Sequence, residues 1–441
     1  MPVKLPLLSA AALDTPIAWR RNRPISRAAF LRHVGAVVRR LPPARFILNL
    51  CEDRYLFLVA FAAVGTNGQT SLLPSNRASL HLRDLAEDYP DSRRITDDDV
   101  ESWLAPEAMD SGVTPTIIPT LPADQVMAIA FTSGSTGRAK PHPKHWGELI
   151  GGAHQARQRF GFEPGMTVVA TVLAQHMYGL EATIMAPLAS GTRIHAGRPF
   201  FPEDVRAALE SVPPPRVLVT TPVHLRACIQ AELRWWPAMA FLISATAPLA
   251  ATLAEQAETT FGAPVLEIYG CTEAGSIASR RTLDGDHWRL YDGFCLRDGA
   301  LSGAHLSEPV LLSDEVEPCD KAEFRLLGRL EDLVNIAGKR TSLGYLNHQL
   351  NQIAGVVEGV FWLPDETGTE VKRLMAAAVA PDLSERQILA ALAERLDPVF
   401  LPRPLLKVEC LPRNETGKVT RDTLLALARS PPSATEADHA L

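Results

Sequence analysis

No uncharged apolar run in the chain reaches the ~18 residues that a membrane-spanning helix requires, so a membrane span is excluded at the level of hydropathy. CxxC pairs are also lacking: the six cysteines, Cys51, Cys228, Cys271, Cys295, Cys319 and Cys410, are scattered. That spacing suits neither a metal knuckle nor a disulfide framework, and it suggests reduced thiols in a cytoplasmic protein. Nor does either sign of charge dominate. Lys and Arg total 44 against 50 Asp and Glu, a net −6, and nothing in this balance suggests a nucleic-acid surface. Proline and glycine, 35 and 28 in 441 residues, are too sparse for a low-complexity chain, and no internal repeat is visible. The opening MPVKLPLLSAAALDTPIAW imitates a secretory leader in its lysine and apolar run. Pro2, Pro6 and Asp14 speak for a cytoplasmic N-terminal segment instead.

What is present is an enzyme-sized globular chain: 48.0 kDa, 46% hydrophobic and 21% charged, too long for one hydrophobic core. SRAAFLRHVGAVVRRL, ARFILNL and YLFLVAFAAVGT read helix, strand, helix. Short β-type runs follow, MTVVATVL, TRIHA, RVLVTT, AFLISA and PVLEIYG. Helical stretches such as GELIGGAHQARQRF, FPEDVRAALESV and PLAATLAEQAETTFG lie between them. This alternation predicts an α/β fold around a large, mainly parallel sheet. From about 276 to 327 the DGD, DG and SG turns predict a small antiparallel β subdomain within an N-terminal domain 1–329. Alternating helices and strands then resume, PDLSERQILAALAERL among them with Asp or Ser to cap its helix, predicting a small C-terminal α/β domain over 330–428. The aperiodic tail 429–441 reads as disordered.

The stretch FTSGSTGRAKPHPKHW, Phe131 to Trp146, carries the first chemistry. It is no Walker loop, since Lys140 does not directly follow the second glycine. Its composition still suits phosphate: glycines let backbone N–H groups converge on an anion, hydroxyls add donors, and a lysine supplies charge. A plain turn would explain Gly134 and Gly137 equally well.

The order of residues says more. FTSGSTGRAK resembles the phosphate loop of the adenylate-forming superfamily of acyl-CoA synthetases, peptide-synthetase adenylation domains and luciferases, written (Y/F)TSGSTGxPKG. Thr132, Ser133, Gly134, Ser135, Thr136, Gly137 and Lys140 match, while Ala139 and Pro141 depart from it. LISATAPL resembles the adenine loop SGGAPL through Ala245, Thr246 and Ala247. IYGCTEAG matches YGxTE through Tyr269, Gly270, Thr272 and Glu273. LLSDE stands where the family has TGD, giving Asp314, and GRLEDLVNIAGKRTSLG resembles GRxDDxIKxxGxRIxLG, giving Arg329. LPRNETGKVTR matches PRTxxGKxxR, with Lys418 at the catalytic lysine. The resemblance covers about 125–425.

It implies a mobile C-terminal domain and a two-step reaction: a carboxylate attacks the α-phosphate of ATP, pyrophosphate leaves, and a thiol takes the acyl group from AMP. Lys418 and Thr272 would act at the reacting phosphate and Glu273 would hold Mg²⁺. Asp314 and Arg329 would hold ribose, Glu331 would be the hinge in place of the usual Asp, and Gly338 would leave room for a pantetheine arm. The acceptor would be coenzyme A or an acyl carrier protein.

His176, Met177, Tyr178 and Gly179, in AQHMYGLEAT, stand at the acyl-pocket motif. Amino-acid-activating relatives place an Asp where Met177 stands, and an apolar side chain cannot offset a buried ammonium, so an α-amino acid is disfavoured. KPHPKHW, QHMYGLE and FLPRP are similar to stand-alone ligases of aryl-polyene and xanthomonadin pigment pathways. That resemblance points to a hydroxybenzoate-like acid on a carrier protein. The alternatives are an aryl- or short-chain acyl-CoA synthetase and a catalytically silent nucleotide-binding relative.

Overall fold

The computed structural model describes residues 3–74, 77, 79–105, 117–133, 139–303, 305–329, 333–336, 339–364, 373–413 and 419–429. Its contacts divide the chain into two compact units, one of Met1–Val310 with Asp320–Glu323, the other of Leu311–Cys319 with the chain from Phe324 onward.

In the first unit, strands β1 (Pro16–Arg20) and β2 (Arg23–Ser26) form a hairpin whose two turn residues, Arg21 and Asn22, both have positive φ, 50° and 58°. That backbone twist matches the twist of the paired strands. Strands β3 (Phe46–Asn49), β4 (Thr70–Leu73), β5 (Ser92–Ile95), β6 (Val126–Ser133) and β7 (Ala139–His145) make a sheet in the order β5-β3-β4-β6-β7. All its pairings are parallel except the closing hairpin β6/β7. Between β3 and β4 runs helix α1 (Arg54–Thr66), capped by Asp53, whose carboxylate accepts from the N–H groups of Tyr55 and Leu56. Its sequence has almost no polar stripe because residues from Arg54 to Gly65 are all buried.

A second sheet takes β8 (Thr167–Ala170), β9 (Arg193–His195), β10 (Arg216–Thr220), β11 (Phe241–Ser244), β12 (Val265–Cys271), β13 (Gly275–Arg281) and β14 (His287–Leu290). With the first hairpin its order is β14-β13-β12-β11-β10-β8-β9-β1-β2. β12-β11-β10-β8-β9-β1 pair in parallel. Residues of β8 and β11 are buried without exception, the pattern of strands covered on both faces. From β12 the pairing turns antiparallel, through β13 to β14 and again in the hairpin of Phe294–Arg297 with Ala300–Gly303, where the turn-rich sequence predicts it.

Parallel strands present their carboxyl ends on one side, the side on which open α/β sheets bind ligands. The loops after β8, β11 and β12, which carry three of the sequence motifs, all leave from such ends.

The second unit holds an antiparallel pair, Asp314–Pro318 with Glu323–Arg329, save that Glu323 itself counts with the first unit. Glu358–Trp362 pairs antiparallel with Met375–Val379, to which Leu405–Lys407 adds in parallel. The helix Glu385–Ala393 is capped by Ser384, with Gln387 closing a capping box. Leu346, Leu350, Phe361, Ile388 and Leu392 lie in its core. The predicted disordered tail lies outside the described residues, save for the last residue of a helix Arg421–Arg429.

Candidate active site

The hairpin β6/β7 carries the phosphate-loop motif at its tip. Thr132 pairs in register with Lys140, and Ser133 with Ala139. Gly134, Ser135, Thr136 and Gly137 lie outside the described residues, and Lys140 is exposed. Across the hairpin the Thr132 hydroxyl meets His142 Nε2 at 2.9 Å. The same nitrogen lies 3.6 Å from the Glu273 carboxylate. Burial lowers the His142 pKa; Glu273 pulls it back up, and Lys144 and Lys140 push it down.

Side chains alternate along a strand, so His142 and Lys144 share one face of β7. Lys144 is buried, and its Nζ donates to the backbone carbonyl of Glu273 at 2.5 Å. Burial lowers its pKa, opposed by Glu181, Glu148, Cys271 and Glu273.

Thr272 and Glu273 occupy the turn between β12 and β13, next to a register shift at Tyr269/Gly270. Tyr269 is buried, its ring tilted against Trp288 at 5.7 Å. Gly275 ends the turn with φ +78°, and a Cβ there would lie 2.2 Å from a Glu181 carboxylate oxygen. Both the backbone and the space demand glycine. The other Glu181 oxygen accepts from the Ser276 N–H at 2.8 Å and its hydroxyl at 2.6 Å. Burial raises the Glu181 pKa, and Ser276 and Lys144 oppose that rise.

Glu181 belongs to the helical run that follows the acyl-pocket motif: Met177–Leu180, a π-helical turn Glu181–Met185, then Ala186–Ser190. π-turns often mark functional positions. His176 caps the run and is exposed, and Met177 packs against the neighbouring core. The Tyr178 hydroxyl faces the carbonyls of Ile243 at 2.9 Å and Thr220 at 3.1 Å, and so pins the run to the carboxyl ends of β11 and β10. A Cβ on Gly179 would lie 1.8 Å from the Leu173 carbonyl oxygen, so only glycine fits this approach. Buried Arg54 donates to the carbonyls of Val172 (2.7 Å) and Ala170 (3.2 Å) and to the Thr183 hydroxyl (2.5 Å). Burial brings its pKa down to about 10.

In the loop after β11, Ala245 is buried while Thr246 and Ala247 are exposed, and Thr246 adopts φ 78°. Buried Glu267 anchors the end of this loop. It accepts from the Leu249 N–H (3.0 Å), from Arg280 (2.6 Å) and from the Thr282 hydroxyl (2.7 Å).

In the second unit Asp314 and Arg329 face each other in register. Lys418, Glu331 and Gly338 lie outside the described residues.

Among the described residues no cluster of three or more His, Cys, Asp or Glu is built to hold a metal. Glu273, about one-third exposed, presents a single carboxylate. That donor set fits Mg²⁺, which is commonly held by one or two carboxylates together with substrate phosphates. His142, Lys144, Glu181, Glu267, Ser276 and Arg54 are site-building residues that the motif reading did not assign. For Glu267 and Glu181 the signal in the sequence is a charge inside an apolar string, VLEIYG and GLEATIM.

Residues 40–297 match the family model described as AMP-binding enzyme. The chain is 27% identical over 303 residues to the 4-coumarate–CoA ligase of Halorhodospira halophila, covering 65% of this chain and 73% of that one. In fold it is similar to ATP-bound MatB from Rhodopseudomonas palustris, with a TM-score of 0.80 at 19% identity over 96% of this chain and 97% of that one. It is also similar to the O-succinylbenzoate coenzyme A synthetase MenE of Bacillus subtilis in complex with ATP and magnesium, with a TM-score of 0.77 at 16% identity over 95% and 99% of the two chains. No helix among the described residues is long and apolar enough to cross a membrane.

Proposed function

The chain belongs to the AMP-binding enzyme family, and on that premise we propose that it is an AMP-forming acid–thiol ligase. A carboxylate oxygen of the acid attacks the α-phosphorus of ATP, and the bond to the bridging oxygen breaks to release pyrophosphate. The sulfur of a pantetheine thiol, losing its proton, then attacks the acyl carbon, and AMP leaves. One observation carries this reading. Two motifs far apart in the sequence meet, with Thr132 of the phosphate-loop hairpin 2.9 Å from His142 and His142 3.6 Å from Glu273 of the YGCTE turn.

The first step drives one anion toward another, so it needs positive charge and donors aimed at the reacting oxygens. Glu273 would hold Mg²⁺, which when bound neutralises phosphate charge. Thr272 would donate to the α-phosphate, Lys140 and the hydroxyls of the phosphate loop would hold the outer phosphates, and Lys418 would offset charge between the carboxylate and the α-phosphate. The Ala245–Ala247 loop and Tyr269 would pack on adenine, and Asp314 and Arg329 would hold ribose. Glu331 would serve as hinge between half-reactions and Gly338 would admit the pantetheine arm. Met177, packed in apolar surroundings, supports an acid without an α-ammonium.

The similarity to a 4-coumarate–CoA ligase supports coenzyme A as acceptor and an aryl acid as substrate. A second reading, a hydroxybenzoate-like acid loaded on an acyl carrier protein, is favoured by KPHPKHW, whose His142 and Lys144 are buried parts of the site. Pyrophosphate exchange with benzoates, cinnamates and fatty acids, followed by thioester assays on coenzyme A and on a holo carrier protein, separates the two. Lys418→Ala should lower acid-dependent exchange by on the order of 10²–10³. Exchange at the wild-type rate in that variant would remove Lys418 from the mechanism, and no exchange by the wild type with any acid would leave the silent relative.

A further inference from the structure

The Thr272–Glu273 turn is gripped at both ends by ionisable side chains from other parts of the chain. At one end the Lys144 ammonium, from the return strand of the phosphate-loop hairpin, donates to the Glu273 carbonyl at 2.5 Å. At the other end the Glu181 carboxylate, from the acyl-motif helix, takes both the N–H and the hydroxyl of Ser276. We propose that Lys144 and Glu181 form a two-ended clamp that positions the Glu273 carboxylate for its metal and thereby couples the phosphate hairpin, the acyl helix and the catalytic turn. The proposal rests on the reading of Glu273 given above.

Two observations favour positioning over a merely structural role. Each charge here is spent on the backbone of the same short turn, Lys144 on a carbonyl and Glu181 on an N–H, so the pair fixes the path of the chain on either side of Glu273. The turn also has no slack against this grip, because a Cβ on Gly275 would lie 2.2 Å from Glu181.

A substrate-reading role for Glu181 is not supported by the space beside it. The cavity bounded by Gly152, Phe160, Glu181, Ile243 and Ser276 has about 10 Å³, room for no more than a single water. A third link, His142 between Thr132 and the Glu273 carboxylate, ties the same turn to the mouth of the phosphate loop.

The test uses the full chain and the variants Lys144→Met, Glu181→Gln and the double variant, with Ser276→Ala as the milder probe should a buried substitution compromise folding. Groups that hold a metal ligand in place change affinity or activity by roughly 10–100-fold when removed. Lys144→Met and Glu181→Gln should each lower kcat of pyrophosphate exchange by that factor and raise the Mg²⁺ concentration for half-maximal rate, with KM for the acid little changed. Because the two act as one unit, the double variant should lose no more than the worse single one. Calorimetry gives the readout independent of turnover: affinity for ATP without Mg²⁺ stays at the wild-type value, while the gain in affinity on adding Mg²⁺ shrinks. Ser276→Ala, which keeps the N–H, should show a smaller loss of the same kind. Wild-type Mg²⁺ dependence in Lys144→Met and Glu181→Gln, losses that multiply in the double variant, or an unaltered Ser276→Ala beside unfolded single variants would each overturn the clamp. A wild-type enzyme without acid-dependent exchange would instead overturn the ligase reading, leaving the calorimetric test of the clamp intact.

Discussion

The turns leaving the carboxyl ends of β11 and β12, neighbours in one sheet, are held in opposite ways. The turn after β12, with Thr272 and Glu273, is gripped from outside: Lys144 and Glu181 reach it from a different hairpin and a different helix. The loop after β11, with Ala245 to Ala247, is anchored from within its own sheet, by Glu267 on the next strand. On the proposed reading, one turn would present a carboxylate in a fixed direction and the other would present small side chains as a surface. A directed charge calls for restraint on both sides of its residue, whereas a flat surface needs its end tied down and its path shaped.

Breaking the internal anchor should have the largest effect. Glu267→Ala leaves Arg280 facing a buried site and strands the Leu249 N–H and the Thr282 hydroxyl. Removing one partner of a buried, hydrogen-bonded charge pair costs about 3–5 kcal/mol, which chemical denaturation would read as a lower midpoint. If Glu267→Ala unfolds within 1 kcal/mol or so of wild type, this loop is not anchored as described.

Crowding the external grip should cost less. Gly275→Ala puts a methyl 2.2 Å from the Glu181 carboxylate oxygen, on a backbone of φ +78°. A left-handed non-glycine residue costs of order 1–3 kcal/mol. The clash adds a displacement of Glu181, so stability should fall by roughly that amount, while Mg²⁺-dependent exchange falls further than the loss of folded protein explains. Activity falling only in step with the folded fraction, as read by circular dichroism, would mean that the clamp tolerates the shift.

The two kinds of restraint were unequally legible in the sequence. Strands β8 and β11 declare themselves within short, mostly apolar runs, and YLFLVAFAAVGT, apolar almost throughout, becomes a helix buried along its length. The strings ATAPL and YGCTE stand out because each is local, at the end of a strand. The braces are contacts between segments up to 129 residues apart, Lys144 to Glu273 for instance, and no local pattern reports a partner at that distance. Lys144, Glu181 and Glu267 also go against the usual placement of charge at the surface. What the sequence does offer is alternation: in KPHPKHW the first histidine and the second lysine are two residues apart, on one face of a strand. That face becomes meaningful once the strand is seen to turn it toward Glu273.

The smallest expected effect belongs to Thr246, in the surface-forming loop. A β-branched residue at φ 78° carries a steric cost of about 1–2 kcal/mol, and glycine would relieve it. Glycine also loosens the unfolded chain, which returns roughly 0.4–1 kcal/mol of that gain. Thr246→Gly should therefore stabilise the protein by roughly 0.5–1 kcal/mol, seen as a higher denaturation midpoint. The loop becomes freer before it is occupied and must be ordered on binding, so ATP affinity should drop by roughly 2- to 5-fold, the scale of immobilising one mobile group. The contrast with Gly275→Ala is the informative part: one substitution trades stability away at a directed turn, and the other gains it at a shaped surface. A destabilised Thr246→Gly would mean that the threonine side chain holds the loop, making the two turns more alike than their anchors suggest.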